Sequence, residues 1–440
     1  AEVCAQEVAL NRRMAPDVYL GTGRVVLGDS ALDPCVVMRR MPLDRRLARL
    51  IQGEGGHDEV HQVARRVAAF HATAERADRI TVAAAPAAVR KLWDDNLREI
   101  TQAGEPWWQP TTIDEITALA RRYLDGREDL LLARQADGHI CDGHGDLLAD
   151  DIFCLDDGPR ILDCLAFDER LRHGDVLLDT AFLAMDLEHR GRRDLADLFL
   201  TAYEEFSAEH HPSSLAHHYV AYRALVRAKV TALRIGEQAE AADEARSYLD
   251  QCLRHLRQAR VRLILIGGPP GAGKTTLARE LGGRLGMPVL RSDEVRKELT
   301  GRGATERGGE AFGEGIYGPD STQATYDELL HRAEVLLRHG QSVIVDASWS
   351  TAVHRAAAAA VADETTADRH ELHCSVDPAI ALDRVRVRLA ADEDASDADE
   401  EVARRLAADF EHWPAAVPVD TDRPVEQVVT AARAVVEAPL

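Results

Sequence analysis

Apolar positions change their period several times along the chain, and each change marks an element. Val3, Val8, Leu10 and Met14 fall at loosely helical spacing before Pro16, which predicts a helix over residues 1–15. Three short apolar runs follow, at 18–20, 24–27 and 35–38, separated by Gly and Asp-Pro turns, and predict a small antiparallel sheet. From Leu43 to about Ala136 the period is mostly helical, including 60–73 and 113–124, with a Pro-Trp-Trp-Gln-Pro break at 106–110. At 152–155 and 160–162 two strand-like runs flank an Asp-Asp-Gly turn, the signature of a hairpin. Helical spacing resumes to a long polar-faced helix at 237–259. Beyond it, strands at 261–267, 287–293, 341–346 and 416–421 alternate with helical segments, which predicts a parallel sheet. The expected fold is therefore multidomain: an α+β domain over 1–259, with a small lobe at 1–42 and a helical lobe at 43–259, then an α/β domain over 260–440.

Composition narrows the function. A length of 440 residues with 45% hydrophobic content suits two or three soluble domains. The formal charge of −22 argues against a broad nucleic-acid footprint, because such a field repels phosphate backbones. Seven scattered cysteines without a Cys-x-x-Cys pair fit reduced thiols and a cytoplasmic location. No apolar run approaches the ~20 residues of a membrane helix, so no membrane association is expected. His57 and His61 stand one turn apart, but without a third ligand nearby they read as an exposed helix face and not as a zinc site.

The strongest chemical signal follows the strand at 261–267. Gly268, Pro269, Pro270, Gly271, Ala272, Gly273, Lys274, Thr275 and Thr276 lie between that strand and a helix. This is the spacing of a phosphate-binding loop, in which glycines let successive N–H groups turn inward. Lys274 reaches the terminal phosphates, Thr275 offers a hydroxyl to Mg²⁺, and the helix N-terminus adds its positive end. Only four of the 53 basic residues are lysines, and one of them occupies this loop. The bland reading, a glycine-rich strand-to-helix turn, lacks a reason for that lysine.

Around the hairpin, carboxylates accumulate. Asp146, Asp151 and Asp163 flank its two strands, and a hairpin brings such flanks together. Converging acids with no basic residue among them call for a cation, Mg²⁺ being the natural one; the alternative is a carboxylate-rich surface hairpin. His144-Gly145-Asp146-x4-Asp151, followed by Ile161-Leu162-Asp163, resembles the catalytic loop and metal-binding Asp of the aminoglycoside phosphotransferase and protein-kinase-like fold. The resemblance implies that Asp146 orients an acceptor hydroxyl and that Asp163 and Asp151 ligate Mg²⁺, Asp151 standing where the family has Asn. The downstream His173-Gly174-Asp175 through Asp179 and the helices to about 258 match the rest of such a domain. That fold also uses a lysine on an early strand, paired with a helix Glu for which Glu7 would serve, yet no lysine precedes Lys91. Either part of the small lobe lies before Ala1, the reading we adopt, or the domain is degenerate.

The second domain resembles the small P-loop kinases. Asp293 ends a strand and, by that resemblance, orients the acceptor hydroxyl while Arg296 holds the acceptor; the competing reading makes it merely a helix N-cap. Asp346 closes the strand Gln341-Ser-Val-Ile-Val, the form of a Walker B segment that holds Mg²⁺. Arg384 and Arg388 share one helix face ahead of an acidic stretch, which resembles a lid at 384–401 whose arginines close over the phosphoryl group; a solvated, salt-bridged helix is the alternative. The loop after Asp420 borders the adenine in this reading.

Over nearly its whole length the chain resembles two-domain bacterial proteins that fuse an aminoglycoside-phosphotransferase-like domain to a P-loop kinase domain. The resemblance implies an ATP- and Mg²⁺-dependent phosphotransferase acting on a small-molecule hydroxyl. A regulatory ATP-binding switch without an acceptor is the rival reading.

Overall fold

A computed structural model describes residues 1–27, 30–102, 107–236, 240–301, 318–391 and 400–438. The chain forms two compact units, Ala1–Leu124 with Glu128–Ala259, and Asp125–Arg127 with Arg260–Leu440.

The first unit opens on a helix, Glu2–Asn11, and a two-stranded antiparallel sheet of β1 (Tyr19–Leu27) and β2 (Ser30–Met38). Two of the three expected strands are thus one. Gly21 marks a bulge, where the register shifts between Tyr19 and Gly21, and does not mark a turn. Helices make up most of the remainder. His57–Thr73 buries Val60, Val63, Ala64 and Val67 against the helix Arg193–Ser207, the stripe that its helical spacing dictates. Two small antiparallel pairs interrupt them, β3 (Ile140–Asp142) with β6 (His173–Asp175), and β4 (Ile152–Leu155) with β5 (Gly158–Ile161). The helix Ser213–Ala232 packs on Ala241–Gln258, which buries Ala245, Leu249, Cys252 and Leu256 along one face.

The second unit is a five-stranded sheet in which every pair is parallel, ordered β11 (Val417–Asp420), β10 (Asp368–Ser375), β7 (Arg262–Gly267), β9 (Val343–Asp346), β8 (Val289–Arg291). Its central strands read as continuous apolar runs because helices cover both faces. Ile264, Ile266, Leu277, Leu281, Ile344, Leu372 and Val429 form a core from which water is excluded. Strand β10 escaped the sequence pattern. Two of its buried polar residues find partners far along the chain, Glu371 the Trp413 indole and Asp368 the Arg260 guanidinium.

The sheet register aligns the carboxyl ends. Ile266 lies beside Asp346, and Arg291 beside Asp346 from the other side. Loops leaving β7, β8 and β9 therefore start from one edge, where open parallel sheets bind their ligands. Among the described residues no helix is long and apolar enough to cross a membrane.

Candidate functional site

At the end of β7 the backbone enters the glycine-rich loop. Gly268, Gly271 and Gly273 have φ of 140°, 80° and 82°, the region that favours glycine. Space forbids a side chain as well: a Cβ on Gly271 would stand 2.2 Å from the Ala381 carbonyl oxygen, and one on Gly268 2.6 Å from that of Cys374. The loop delivers Lys274 and Thr275 to the first turn of the helix Lys274–Leu285. The Lys274 Nζ donates to the Pro269 carbonyl across the loop at 3.0 Å. The Thr275 hydroxyl donates to Asp346 Oδ2 at 2.7 Å, bringing the two expected metal-binding residues of this unit together. Asp346 is buried, which raises its pKa against the opposing pull of Lys274, Thr275 and Arg291. From the other edge, the Thr421 hydroxyl donates to the Ala272 carbonyl at 2.9 Å and pins the loop. Pro270 and Ala272 are buried beneath it, Pro269 is half-buried, and Thr276 faces solvent.

Arg384 lies on the helix Pro378–Ala391, and its guanidinium donates to the carbonyl of Thr421, the residue whose hydroxyl pins the loop, at 2.9 Å. Arg388 belongs to the same helix, but its side chain, like 392–399 of the expected lid, lies outside the described residues.

Asp293 occupies the first turn of the helix Ser292–Leu299, whose N-cap is Arg291 and which has no side-chain cap hydrogen bond. It pairs instead with Arg296 at 3.1 Å. Tyr326 stands close enough to feel the charges of both, and its hydroxyl bonds the Ser348 hydroxyl at 3.0 Å and accepts the Trp349 N–H at 3.1 Å. Trp349 adopts φ 52°, rare for so large a residue, immediately after the Walker B strand. Tyr326 and Ser348 carry no motif and were invisible in the sequence; the strained Trp349 is the structural sign of them.

In the first unit, the loop 143–146 hangs on one buried carboxylate. Asp179 accepts the His144 N–H at 2.7 Å and the Gly145 N–H at 2.8 Å, and meets His71 Nε2 at 3.0 Å. His71 is set in turn by the Tyr203 hydroxyl at 2.8 Å. Arg13 reaches the same loop through the carbonyls of Asp142 and Gly143. Burial pushes the Asp179 pKa up, but the hydrogen bond and charge of His71 and the His144 N–H outweigh it and hold the carboxyl well below its ordinary range. A depressed carboxylate contributes stability above the ordinary carboxylate range and loses it as pH falls through the folded pKa. Asp179→Asn is thus expected to destabilise by about 3 kcal/mol at pH 7, with the gap to the native protein narrowing toward pH 3 in urea titrations. A gap independent of pH would sink this account of the loop.

The three aspartates interact less closely than the hairpin suggested. Burial raises Asp146 to about 6, with Asp163 adding to it and Arg227 and Arg223 opposing. Burial raises Asp151 to about 7, reinforced by Asp163 and Asp146. Yet among the described residues the one group bringing three ligand atoms within 4.8 Å of one another is Glu204, Glu209 and His211. There Glu209 is already committed to Arg134 and His211. The spacing of the aspartates has a backbone cause. The Leu162 N–H donates to the Asp151 carbonyl at 2.9 Å, continuing the ladder, while Asp163 turns out of it at φ 63° and is exposed.

His57 approaches Asp194 at 3.5 Å, and His61 packs edge-on against Phe206.

Residues 263–413 match the family model described as AAA domain. Over 434 residues the chain is 38% identical to the uncharacterized protein Rv2004c of Mycobacterium tuberculosis, spanning 97% of this chain and 86% of that protein. The uncharacterized protein Mb2027c of Mycobacterium bovis matches to the same extent. Among solved structures, a putative kinase from Chloroflexus aurantiacus is 19% identical with a TM-score of 0.33, covering 40% of this chain and 98% of its own. An APS kinase of Mycobacterium tuberculosis is 21% identical with a TM-score of 0.32, covering 41% and 99%.

Proposed function

The chain belongs, over nearly its whole length, to the family of the Mycobacterium tuberculosis protein Rv2004c, and from that premise we propose that it is an ATP- and Mg²⁺-dependent phosphotransferase acting on a hydroxyl of a small molecule. The unit at 260–440 is the surer catalyst, and the protein-kinase-like unit at 1–259 holds a second site around Asp146. The observation that carries the reading is the Thr275–Asp346 hydrogen bond at 2.7 Å beside a loop whose glycines leave no room for side chains.

The donor set suits the cation. A threonine hydroxyl and a buried carboxylate are hard oxygen ligands, and Mg²⁺ held by Thr275 and Asp346 supplies charge neutralisation at the phosphates. Lys274 and the N-terminus of its helix bind the terminal phosphates through donors fixed before substrate arrives. Asp293, held by Arg296, accepts a hydrogen bond from the acceptor hydroxyl and takes its proton. Tyr326 and Ser348 border the same place and orient the acceptor. Arg384, tied to the end of β11 beside the loop, supplies with Arg388 the lid charge for the transferring group. In the first unit Asp146 plays the part of Asp293, and Asp151 and Asp163 supply oxygen to the metal.

The test is phosphoryl transfer by the full-length protein with ATP and Mg²⁺ over sugars, aminoglycosides and nucleosides. ATP turnover should rise with a hydroxyl acceptor and the γ-phosphate should appear on it. Turnover indifferent to every acceptor, with nucleotide binding intact, would favour a regulatory switch instead.

A further inference from the structure

The unit carrying Asp146 holds a pocket, open to solvent along one side, of about 1340 Å³, above the roughly 300–1,000 Å³ common for small-molecule sites. Its wall is largely apolar, with Trp107, Phe182, Tyr222, Val230 and Leu233 among its side chains. The cations around it fall into two sets. Lys91, Arg170 and Lys229 are neutralised where they stand by Asp95, Asp168 and Glu99 at 2.5, 2.7 and 2.8 Å, and Arg79 by Glu75. Arg223 and Arg227, one turn apart on the helix Ser213–Ala232, form no ion pair with any described residue.

Both lie against aromatic rings. Arg223 is 7% exposed, donates through Nε to the Leu178 carbonyl at 3.0 Å, lies 4.6 Å above the Phe182 ring and feels the charge of Asp179. Arg227 is half-buried, lies against the Tyr248 ring and hydrogen-bonds its hydroxyl, while its Nε is buried without a hydrogen-bond partner. Both guanidinium charges reach Asp146, so they face the end of the cavity where that carboxylate stands. Of the lining carboxylates, only Asp146 and the exposed Glu169 lack an ion pair among the described residues. Arg223 is buried and Arg227 half-buried, and Asp146 is the one unpaired carboxylate of the wall that both of them face, so two cations share it and a bound anion supplies the second partner. A polycation would meet their repulsion instead.

We infer that the cavity takes an amphipathic molecule bearing a hydroxyl and an anionic group, the anion held by Arg223 and Arg227 and the apolar body by the wall. The inference rests on the kinase reading of Asp146 only for the role of the hydroxyl. It is a statement of binding and stands apart from turnover.

The experiment is calorimetric titration of the full-length protein, without nucleotide, with three twelve-carbon ligands: 12-hydroxydodecanoate, 1,12-dodecanediol and 12-aminododecan-1-ol. The carboxylate should bind at least about tenfold tighter than the diol, and the amine weakest, since a charge-assisted bond contributes on the order of one tenfold step. Arg227→Gln and Arg223→Gln should each bring the carboxylate to within about threefold of the diol, with thermal melts reporting that the variants fold. A carboxylate no tighter than the diol, a preference for the amine, or no binding by any of the three overturns the proposal. Nucleotide phosphate is the other source of an anion here. If Mg²⁺ with a non-hydrolysable ATP analogue displaces the carboxylate in a Lys274→Ala background, and Arg227→Gln weakens the analogue equally, the arginines serve the nucleotide and the proposal fails. A carboxylate bound with this preference but never phosphorylated leaves the ligand class standing and removes the kinase reading of Asp146.

Discussion

Lys274→Ala is expected to lower acceptor-dependent ATP turnover by about 10³-fold, the scale of losing a preorganised donor to developing charge. The argument starts from the loop's geometry. The Lys274 Nζ spans the turn to the Pro269 carbonyl at 3.0 Å, so a compact ammonium already lies within the curve where the phosphates enter. A carbonyl is a weak partner that a phosphate oxygen displaces readily. Lys274→Arg should recover little, because a planar fork has a different reach and the Cβ-free glycines leave the loop no slack. Neither variant should change the melting temperature by more than a degree or two, since Lys274 is only half-buried and makes no ion pair with a described residue. Turnover within tenfold of the native protein in Lys274→Ala would transfer catalysis to the unit of Asp146. Steady-state turnover beside melting curves therefore reads the role of the loop directly.

What the sequence revealed was whatever is contiguous. The phosphate loop is a run of nine residues whose chemistry and backbone needs coincide, so its spacing alone located it. Asp346 was legible because three buried residues precede it on a central strand. Strand β10 was not, since its alternating polar residues are compensated by Arg260 and Trp413, which no window of sequence contains. The support of the 143–146 loop was equally hidden. His71 and Tyr203 are 132 residues apart, and Arg13 and Asp142 are separated by 129, so only the fold brings them together. Motif spacing gave Asp146 a role but Asp179 only a place in the downstream match, although Asp179 fixes the backbone on which Asp146 is mounted. The tie of Arg384 to the Thr421 carbonyl was equally out of reach, since it joins residues 37 apart in the chain.

Asp293 has two readings from the sequence, an acceptor-orienting carboxylate and a helix N-cap. As an N-cap it would accept hydrogen bonds from the start of its helix, and asparagine caps about as well as aspartate. Asp293→Asn would then leave both stability and turnover unchanged. The structure gives that helix no side-chain cap and turns the carboxylate to Arg296 at 3.1 Å, beside Tyr326 and at the same sheet edge as the phosphate loop. A carboxylate so placed can take a proton from an acceptor hydroxyl, and an amide of the same shape cannot. Asp293→Asn is accordingly expected to reduce phosphoryl transfer by about 10²–10³-fold while leaving the dissociation constant for ATP within about twofold. Arg296→Ala should act differently, raising the acceptor's KM more than it lowers kcat, because it removes the group that holds the carboxylate and the acceptor and leaves the base itself. Loss of kcat with ATP binding intact, measured by rapid-quench transfer beside nucleotide titration, assigns the carboxylate to the acceptor. An unchanged kcat returns Asp293 to the helix and leaves the hydroxyl to be oriented by Tyr326 and Ser348 alone.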